Sequence, residues 1–111
     1  MESNNTKGMI KVNILYPNAE GKTFDVDYYV NKHMALVKSL AGDALKGVSV
    51  DKGLAGGAPD APLPYLAVGY LYFASVNAFQ EFIGKNIGQI MADVPNYTNT
   101  EPEILISEVI L

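Results

Sequence analysis

Hydrophobic and polar residues alternate along two stretches of this chain, and each stretch predicts a β-strand. One face of segment 9–16 carries Ile10, Val12, Ile14 and Tyr16. Segment 45–51 alternates more weakly because Gly47 dilutes it, and segment 103–111 predicts a final strand. A fourth segment, 65–73, is apolar or aromatic on both faces. That pattern is typical of a central strand that is covered on both sides.

Two other stretches repeat their apolar residues every three to four positions, which predicts amphipathic helices. The apolar stripe of the first helix holds Val26, Tyr29, Val30, His33, Leu36, Val37 and Leu40. Thr23 or Asp25 is expected to cap the start of this helix, and Gly42 to end it. Ser75 is expected to cap the second helix, whose stripe holds Val76, Phe79, Phe82, Ile83 and Ile87.

The predicted order βαββαβ is that of a ferredoxin-like α+β fold, with a four-stranded antiparallel sheet and both helices on one face. The helices cover only that face, whereas the strand at 65–73 is apolar on both of its faces. The other face must therefore be hidden, and a second copy of the chain is the usual cover in a small protein. We expect a homodimer in which two sheets pack face to face.

The length and charge of the chain limit its domain count and the partners that it can bind. With 111 residues the chain forms one domain over 9–111, and the polar segment 1–8 predicts a disordered leader or a cloning remnant. A net charge of −4 with scattered basic residues argues against a nucleic-acid partner. Because the sequence shows no signal peptide and no membrane-spanning stretch, the expected location is the cytoplasm.

The chain has no cysteine and one histidine, His33. Without cysteine, disulfides, zinc–thiolate sites, iron–sulfur clusters and thiol nucleophiles are excluded. A single imidazole weakens any histidine-based metal site, and the carboxylates lack the spacing of a calcium loop. We therefore expect neither a metal nor a cofactor. The glycine-rich loop 52–63 is not a phosphate loop, because no Gly-Lys-Ser/Thr follows it.

His33 falls on the apolar stripe of the first helix, so its side chain is expected to face the core. Histidine is the residue type that transfers protons near neutral pH, which makes His33 a candidate general acid or base for a phenol, enol or carboxylate ligand. Tyr29 lies one turn earlier and could donate a hydrogen bond to a developing oxyanion. The alternative is a buried imidazole with a purely structural role.

Two further groups of residues are candidates for ligand binding. The tyrosines of segment 65–73 could fill the core and the dimer interface, or they could orient a ligand in an apolar cleft. Segment 93–98 has the composition of a turn held by side-chain hydrogen bonds, and it could also form a lid near the mouth of a cleft. The candidate ligand-binding residues are Tyr65, Asp93, Asn96 and Tyr97.

Several short motifs, taken in order, resemble the EthD proteins, which are named for ethyl tert-butyl ether degradation. They are Phe24-Asp25-x-x-Tyr28-Tyr29-x-x-x-His33, Pro64-Tyr65-x-Ala67, Ala92-Asp93-x-Pro95-Asn96-Tyr97-Thr98 and Ile106-Ser107-Glu108-Val109. The likeness runs from about residue 8 to the end of the chain. The resemblance implies a dimeric α+β barrel built from two sheets. His33 matches the histidine of the family's first-helix motif, and Tyr28 or Tyr29 matches its aromatic partner, which makes His33, Tyr29 and Tyr28 the candidate catalytic residues.

What the resemblance implies about function is less specific than what it implies about the fold. The family's name comes from a monooxygenase gene cluster, and the wider superfamily includes cofactor-free monooxygenases, cyclases, decarboxylases, isomerases and haem-handling proteins. We expect a small homodimeric enzyme of catabolism, an oxidoreductase or another cofactor-free catalyst, that binds a hydrophobic, oxygen-bearing molecule. The alternatives are a non-catalytic accessory protein that binds the same kind of molecule and, ranked lower, a haem protein with His33 as ligand.

Overall fold

A computed structural model describes residues 6–111, so residues 1–5 of the expected leader lie outside the described part. Four strands form one sheet: β1 (Ile10–Pro17), β2 (Gly47–Lys52), β3 (Tyr65–Phe73) and β4 (Glu103–Glu108). Helix α1 runs over residues 26–41 in three consecutive parts, which are Val26–Tyr28, a π-helical turn Tyr29–His33, and Met34–Ala41. Helix α2 is Val76–Asp93, followed by a short 3-10 turn at Val94–Asn96.

The strands pair antiparallel in the order β2-β3-β1-β4, and the chain therefore has the predicted ferredoxin-like α+β fold. At the centre of the sheet, Val12 pairs with Leu71 on one side and with Ile106 on the other. Strand β4 ends at Glu108, earlier than predicted, where Glu108 pairs with Ile10, the first residue of β1. Ile110 and Leu111 beyond it are exposed.

Local hydrogen bonds begin and end the helices at the predicted residues. The Asp25 side chain accepts a hydrogen bond from the backbone N–H of Tyr28 at 3.0 Å, so it is Asp25 that caps α1. Ser75 accepts from the N–H of Ala78 at 3.1 Å and caps α2. Gly42 ends α1 with a positive φ of 55°, a conformation that glycine adopts without steric cost.

The π-helical turn changes which residues of α1 face the core. It accommodates one extra residue, so positions after Tyr29 are rotated relative to an uninterrupted α-helix. As a result Met34 is buried, whereas Val30, which was predicted on the apolar stripe, is 45% exposed. Tyr29, His33 and Val37 are buried as predicted. The helix-facing core also holds buried side chains from β1, β3 and α2: Val12, Tyr16, Ala67, Leu71, Phe73, Phe79 and Phe82.

The opposite face of the sheet carries no helix. On β3 this face presents four partly buried apolar side chains, which are Leu66, Val68, Tyr70 and Tyr72. Two of its polar residues, Lys11 and Asn13, already have partners within the same sheet. The Lys11 ammonium lies 4.4 Å from the centre of the Tyr70 ring, and the Asn13 amide donates to the backbone oxygen of Leu105 and to Ser107 Oγ, each at 3.0 Å.

Candidate functional site

A cleft of about 190 Å³ lies between the helix-facing side of the sheet and the two helices. Apolar side chains from β1, α1, α2 and β4 form most of its wall. Its polar aromatic side chains gather at one end, which is formed by His33, Tyr97, Tyr16 and Tyr29. The exposed residue Glu101 also lines the cleft. At the mouth, Ile87 and Met91 of α2 and Ile104 of β4 are 45–55% exposed.

His33 is buried at this polar end, with 4% of its surface exposed. Its Nδ1 lies 2.9 Å from Oδ2 of Asp93, the last residue of α2. A carboxylate only accepts hydrogen bonds, so this contact requires a proton on Nδ1. In the neutral imidazole the other nitrogen, Nε2, then carries a free lone pair and can accept a proton.

Two more side chains hold the Asp93 carboxylate. Tyr28 donates its hydroxyl proton to Asp93 Oδ1 at 2.7 Å, and the Asn96 amide donates to the same oxygen at 2.9 Å. Burial alone would raise the pKa of Asp93, but the hydrogen bonds from Asn96, Tyr28 and His33 outweigh it and hold that pKa below its ordinary value. The bond to Asp93 in turn raises the pKa of the Tyr28 phenol. Asp93 is therefore an oriented carboxylate that stays ionised.

Backbone contacts bring these residues together from distant parts of the sequence. Phe24, just before α1, forms an isolated antiparallel bridge with Thr98, and the backbone N–H of Asp25 donates to the carbonyl of Tyr97 at 2.8 Å. The Thr98 hydroxyl adds a hydrogen bond to the Thr23 carbonyl at 2.7 Å. The segment that follows α2 is thereby fixed against the start of α1. This places Tyr97 beside the π-helical turn that carries His33.

The hydroxyl group of Tyr97 lies next to Nε2 of His33. Its Oη is 3.5 Å from His33 Nε2, the outer limit of a hydrogen bond, and 2.7 Å from the Oη of Tyr16. Burial is the main cause that raises the pKa of both phenols, so both keep their protons. Tyr16 can donate to Tyr97, which leaves the Tyr97 proton available for Nε2 or for a ligand oxygen.

The structure orients Tyr29 differently from Tyr97. The Tyr29 ring stacks on the His33 ring at 5.4 Å with an interplanar angle of 14°. Its hydroxyl lies against Gly69 of β3, where any Cβ would collide with it. Among residues 6–111 it is a buried side-chain oxygen without a hydrogen-bond partner. Tyr29 therefore supports the imidazole through its ring, and Tyr97 presents its hydroxyl to Nε2.

The other predicted site residues divide between this site and the surface. Tyr28, Asp93, Asn96 and Tyr97 join His33 in one hydrogen-bonded group. Tyr65 is not part of it, because its hydroxyl donates to the exposed carboxylate of Glu103 at 3.2 Å. The sequence analysis assigned no role to Tyr16, whose only signal was its place at the end of an alternating strand.

The described residues lack two other features. Residues 6–111 contain no group of three or more histidine or carboxylate side chains placed to hold a metal ion. In the same part of the chain, no helix combines the length and apolarity needed to cross a membrane.

A family profile and two solved structures relate this chain to one family. The profile that describes the EthD domain matches residues 20–101. An EthD-like protein from Ralstonia eutropha JMP134 is 40% identical, with 95% of each chain covered and a TM-score of 0.88. An ethyl tert-butyl ether degradation (EthD) family protein from Bacillus halodurans C-125 is 19% identical, with 90% of this chain and 97% of that one covered and a TM-score of 0.60.

A dabb family protein with a ferredoxin-like fold from Mesorhizobium loti MAFF303099 shares the fold at 9% identity, with 91% of this chain and 96% of that one covered and a TM-score of 0.54. No curated protein matches the chain.

Proposed function

The chain belongs to the EthD family, and from this premise we propose that it is a small homodimeric, cofactor-free enzyme that binds a hydrophobic, oxygen-bearing metabolite and transfers a proton with His33. The observation that carries the proposal is the 2.9 Å contact between His33 Nδ1 and Asp93 Oδ2. It leaves Nε2 as the basic atom at the polar end of an apolar cleft. A general base of this kind contributes about 10²–10⁴-fold to a reaction rate.

Each neighbour of His33 has a distinct part in the proposal. Asp93 is a positioning residue that selects the tautomer and stabilises the imidazolium that forms when Nε2 takes a proton. Tyr28 and Asn96 keep the carboxylate turned toward His33. Tyr97 donates a hydrogen bond to the ligand oxygen as negative charge develops on it, a role supported by its protonated, buried phenol.

The experiment compares the wild-type protein with His33→Gln, which retains polarity but cannot act as the base. Exchange of carbon-bound protons for deuterium is followed by NMR in D₂O over a panel of hydrophobic ketones and phenols. We expect the enzyme-dependent exchange to fall by about 10²–10⁴-fold in the variant. Asn31→Ala, at an exposed position of the same helical turn, is the matched control and keeps the full rate.

Two results would overturn the proposal. One is exchange in His33→Gln at the wild-type rate, in a variant whose circular dichroism and melting temperature match the wild type. The other is ligand binding by the wild-type protein with no exchange of any panel member. That second result would identify a non-catalytic binding protein, the alternative function for a cleft of this kind.

The dimer is a separate part of the proposal, and the sheet face without helices supports it. Leu66, Val68, Tyr70 and Tyr72 form an apolar surface there, while Lys11 and Asn13 are already paired within the sheet. Burying Lys11 and Asn13 against a second copy therefore leaves neither of them without a partner. Sedimentation at micromolar concentration should give a dimer mass for wild type and for the control Val30→Lys. Val68→Lys should give a monomer, and a wild-type monomer would contradict the proposal.

A further inference from the structure

The charge and size of the cleft restrict the ligand more narrowly than its apolar wall alone. None of the described residues that line the cleft is a lysine or an arginine. The exposed acidic residue Glu101 also lines the cleft, and the ionised Asp93 stands directly behind His33. Besides His33, whose imidazole is already paired with Asp93, an anionic ligand would find no cationic partner to offset its lost hydration, which is costly in an apolar site.

The volume sets a second limit. A closed apolar cavity of about 150 Å³ holds one benzene molecule, whereas pockets for drug-sized ligands measure about 300–1,000 Å³. The cleft measures about 190 Å³, which is room for one ring with a small substituent. The half-exposed side chains Ile87, Met91 and Ile104 at the mouth can cover the hydrocarbon end of such a molecule.

The polar end of the cleft limits which functional group of a ligand can react there. Protons on oxygen exchange with water quickly without a catalyst, whereas protons on carbon leave slowly and benefit from a base held in place. A carbonyl compound with a proton on the adjacent carbon matches this end of the cleft, because Nε2 can take the proton while Tyr97 donates to the carbonyl oxygen.

Resting on the proton transfer by His33 given above, we propose that the cleft takes an uncharged, enolisable ketone of about one ring in size. The ketone oxygen lies at Tyr97 and the hydrocarbon part lies against Ile87, Met91 and Ile104. Nε2 takes the α-proton, the C–H electron pair forms the C=C bond, and the carbonyl π pair moves to the oxygen, giving an enolate and an imidazolium. Return of the proton from Nε2 to carbon completes the exchange without any oxidant or reductant.

Binding is measured by NMR titration of the His33 imidazole with four probes. The first is 4-methylcyclohexanone, and the others change one property each: 4-oxocyclohexanecarboxylate adds a negative charge, 2-decalone adds a fused ring, and 4-methylphenol replaces the ketone by a phenol. We expect 4-methylcyclohexanone to bind at least about ten-fold more tightly than the carboxylate and the decalone, which corresponds to about 1.4 kcal/mol. We also expect it to bind more tightly than the phenol.

Glu101→Lys tests the electrostatic part of the inference. This variant should bind 4-oxocyclohexanecarboxylate several-fold more tightly and change the affinity for the uncharged 4-methylcyclohexanone much less. Glu108→Lys makes the same charge change at an exposed position outside the cleft and should alter neither affinity. Tighter binding of the carboxylate, the decalone or the phenol than of 4-methylcyclohexanone would overturn the inference, as would an equal response in the two lysine variants.

The binding and exchange measurements separate the two proposals. If 4-methylcyclohexanone binds selectively but its α-protons exchange no faster with wild type than with His33→Gln, the ligand class stands and the catalytic role of His33 fails. If α-protons exchange in a His33-dependent way but charged or two-ring ketones bind best, the catalytic role stands and the ligand class fails.

Discussion

The fit of Tyr29 against Gly69 allows a quantitative test of how the imidazole is supported. A Cβ added at Gly69 would overlap the Tyr29 hydroxyl and would lie 3.1 Å from Met34 Cε. Both neighbours are buried and cannot move into solvent. Overpacking of this kind costs about 1–3 kcal/mol, so Gly69→Ala should lower the free energy of unfolding by at least about 2 kcal/mol.

Removing the hydroxyl should have a different effect. The Tyr29 Oη is buried without a partner, and an unpaired buried hydroxyl costs about 1–3 kcal/mol. Tyr29→Phe should therefore be neutral or stabilising by about 1 kcal/mol. It also removes the overlap at Gly69, where the closest remaining ring atom, Cζ, lies in tight contact at 3.2 Å from the added Cβ. In the Tyr29→Phe background, Gly69→Ala should cost about 1 kcal/mol or less.

The assay is urea unfolding of the four proteins of this double-mutant cycle at one protein concentration, with Gly57→Ala in an exposed loop as the control. A Cβ added at Gly57 would meet nothing within 4 Å, so this control should change stability by about 0.5 kcal/mol or less. An equal cost of Gly69→Ala in both backgrounds would refute the placement of the Tyr29 hydroxyl against β3.

Three further predictions follow from the hydrogen bonds around the cleft. Because the fold holds the pKa of Asp93 below its ordinary value of 3.8, the carboxylate stabilises the fold above pH 3.8 and loses this effect as the pH falls through the lowered pKa. In urea unfolding, the free energy of unfolding of wild type should therefore exceed that of Asp93→Asn by about 1.5–3 kcal/mol near neutral pH, and this difference should vanish below pH 3.8. A difference independent of pH would contradict this. Tyr97→Phe should lower α-proton exchange of a bound ketone by about 10²-fold with little change in affinity, and an unchanged exchange rate would exclude Tyr97 as the donor. Ser75→Ala should cost about 1 kcal/mol of stability by removing the cap of α2 and leave exchange unchanged, whereas unaltered stability would show that the cap is not formed in solution.

The fold could be predicted from the sequence because its signals are local. The period-two strands, the caps Asp25 and Ser75 and the end of α1 at Gly42 depend on neighbouring residues, and the structure confirms them. The exposure of Val30 could not be predicted, because a 3.6-residue period carries no sign of the extra residue in the π-helical turn.

Only some parts of the site could be predicted from the sequence. His33 and Asp93 were each predicted as site residues for a separate reason. Their contact could not be predicted, because it spans 60 positions and depends on the bridge between Phe24 and Thr98. The role expected for Tyr29 required the direction of its hydroxyl, which is set by the missing side chain of Gly69 on another element. Contacts of this kind depend on tertiary packing and leave no periodic signal.

The central claim is that Asp93 keeps a proton on Nδ1 of His33 and leaves Nε2 free to accept one. Because the chain has a single histidine, a long-range ¹H–¹⁵N NMR spectrum of the neutral imidazole reads this directly. The account predicts the Nδ1–H tautomer in the wild-type protein and the Nε2–H tautomer in Asp93→Asn, whose amide would donate to Nδ1. An Nε2–H tautomer in the wild-type protein would contradict it.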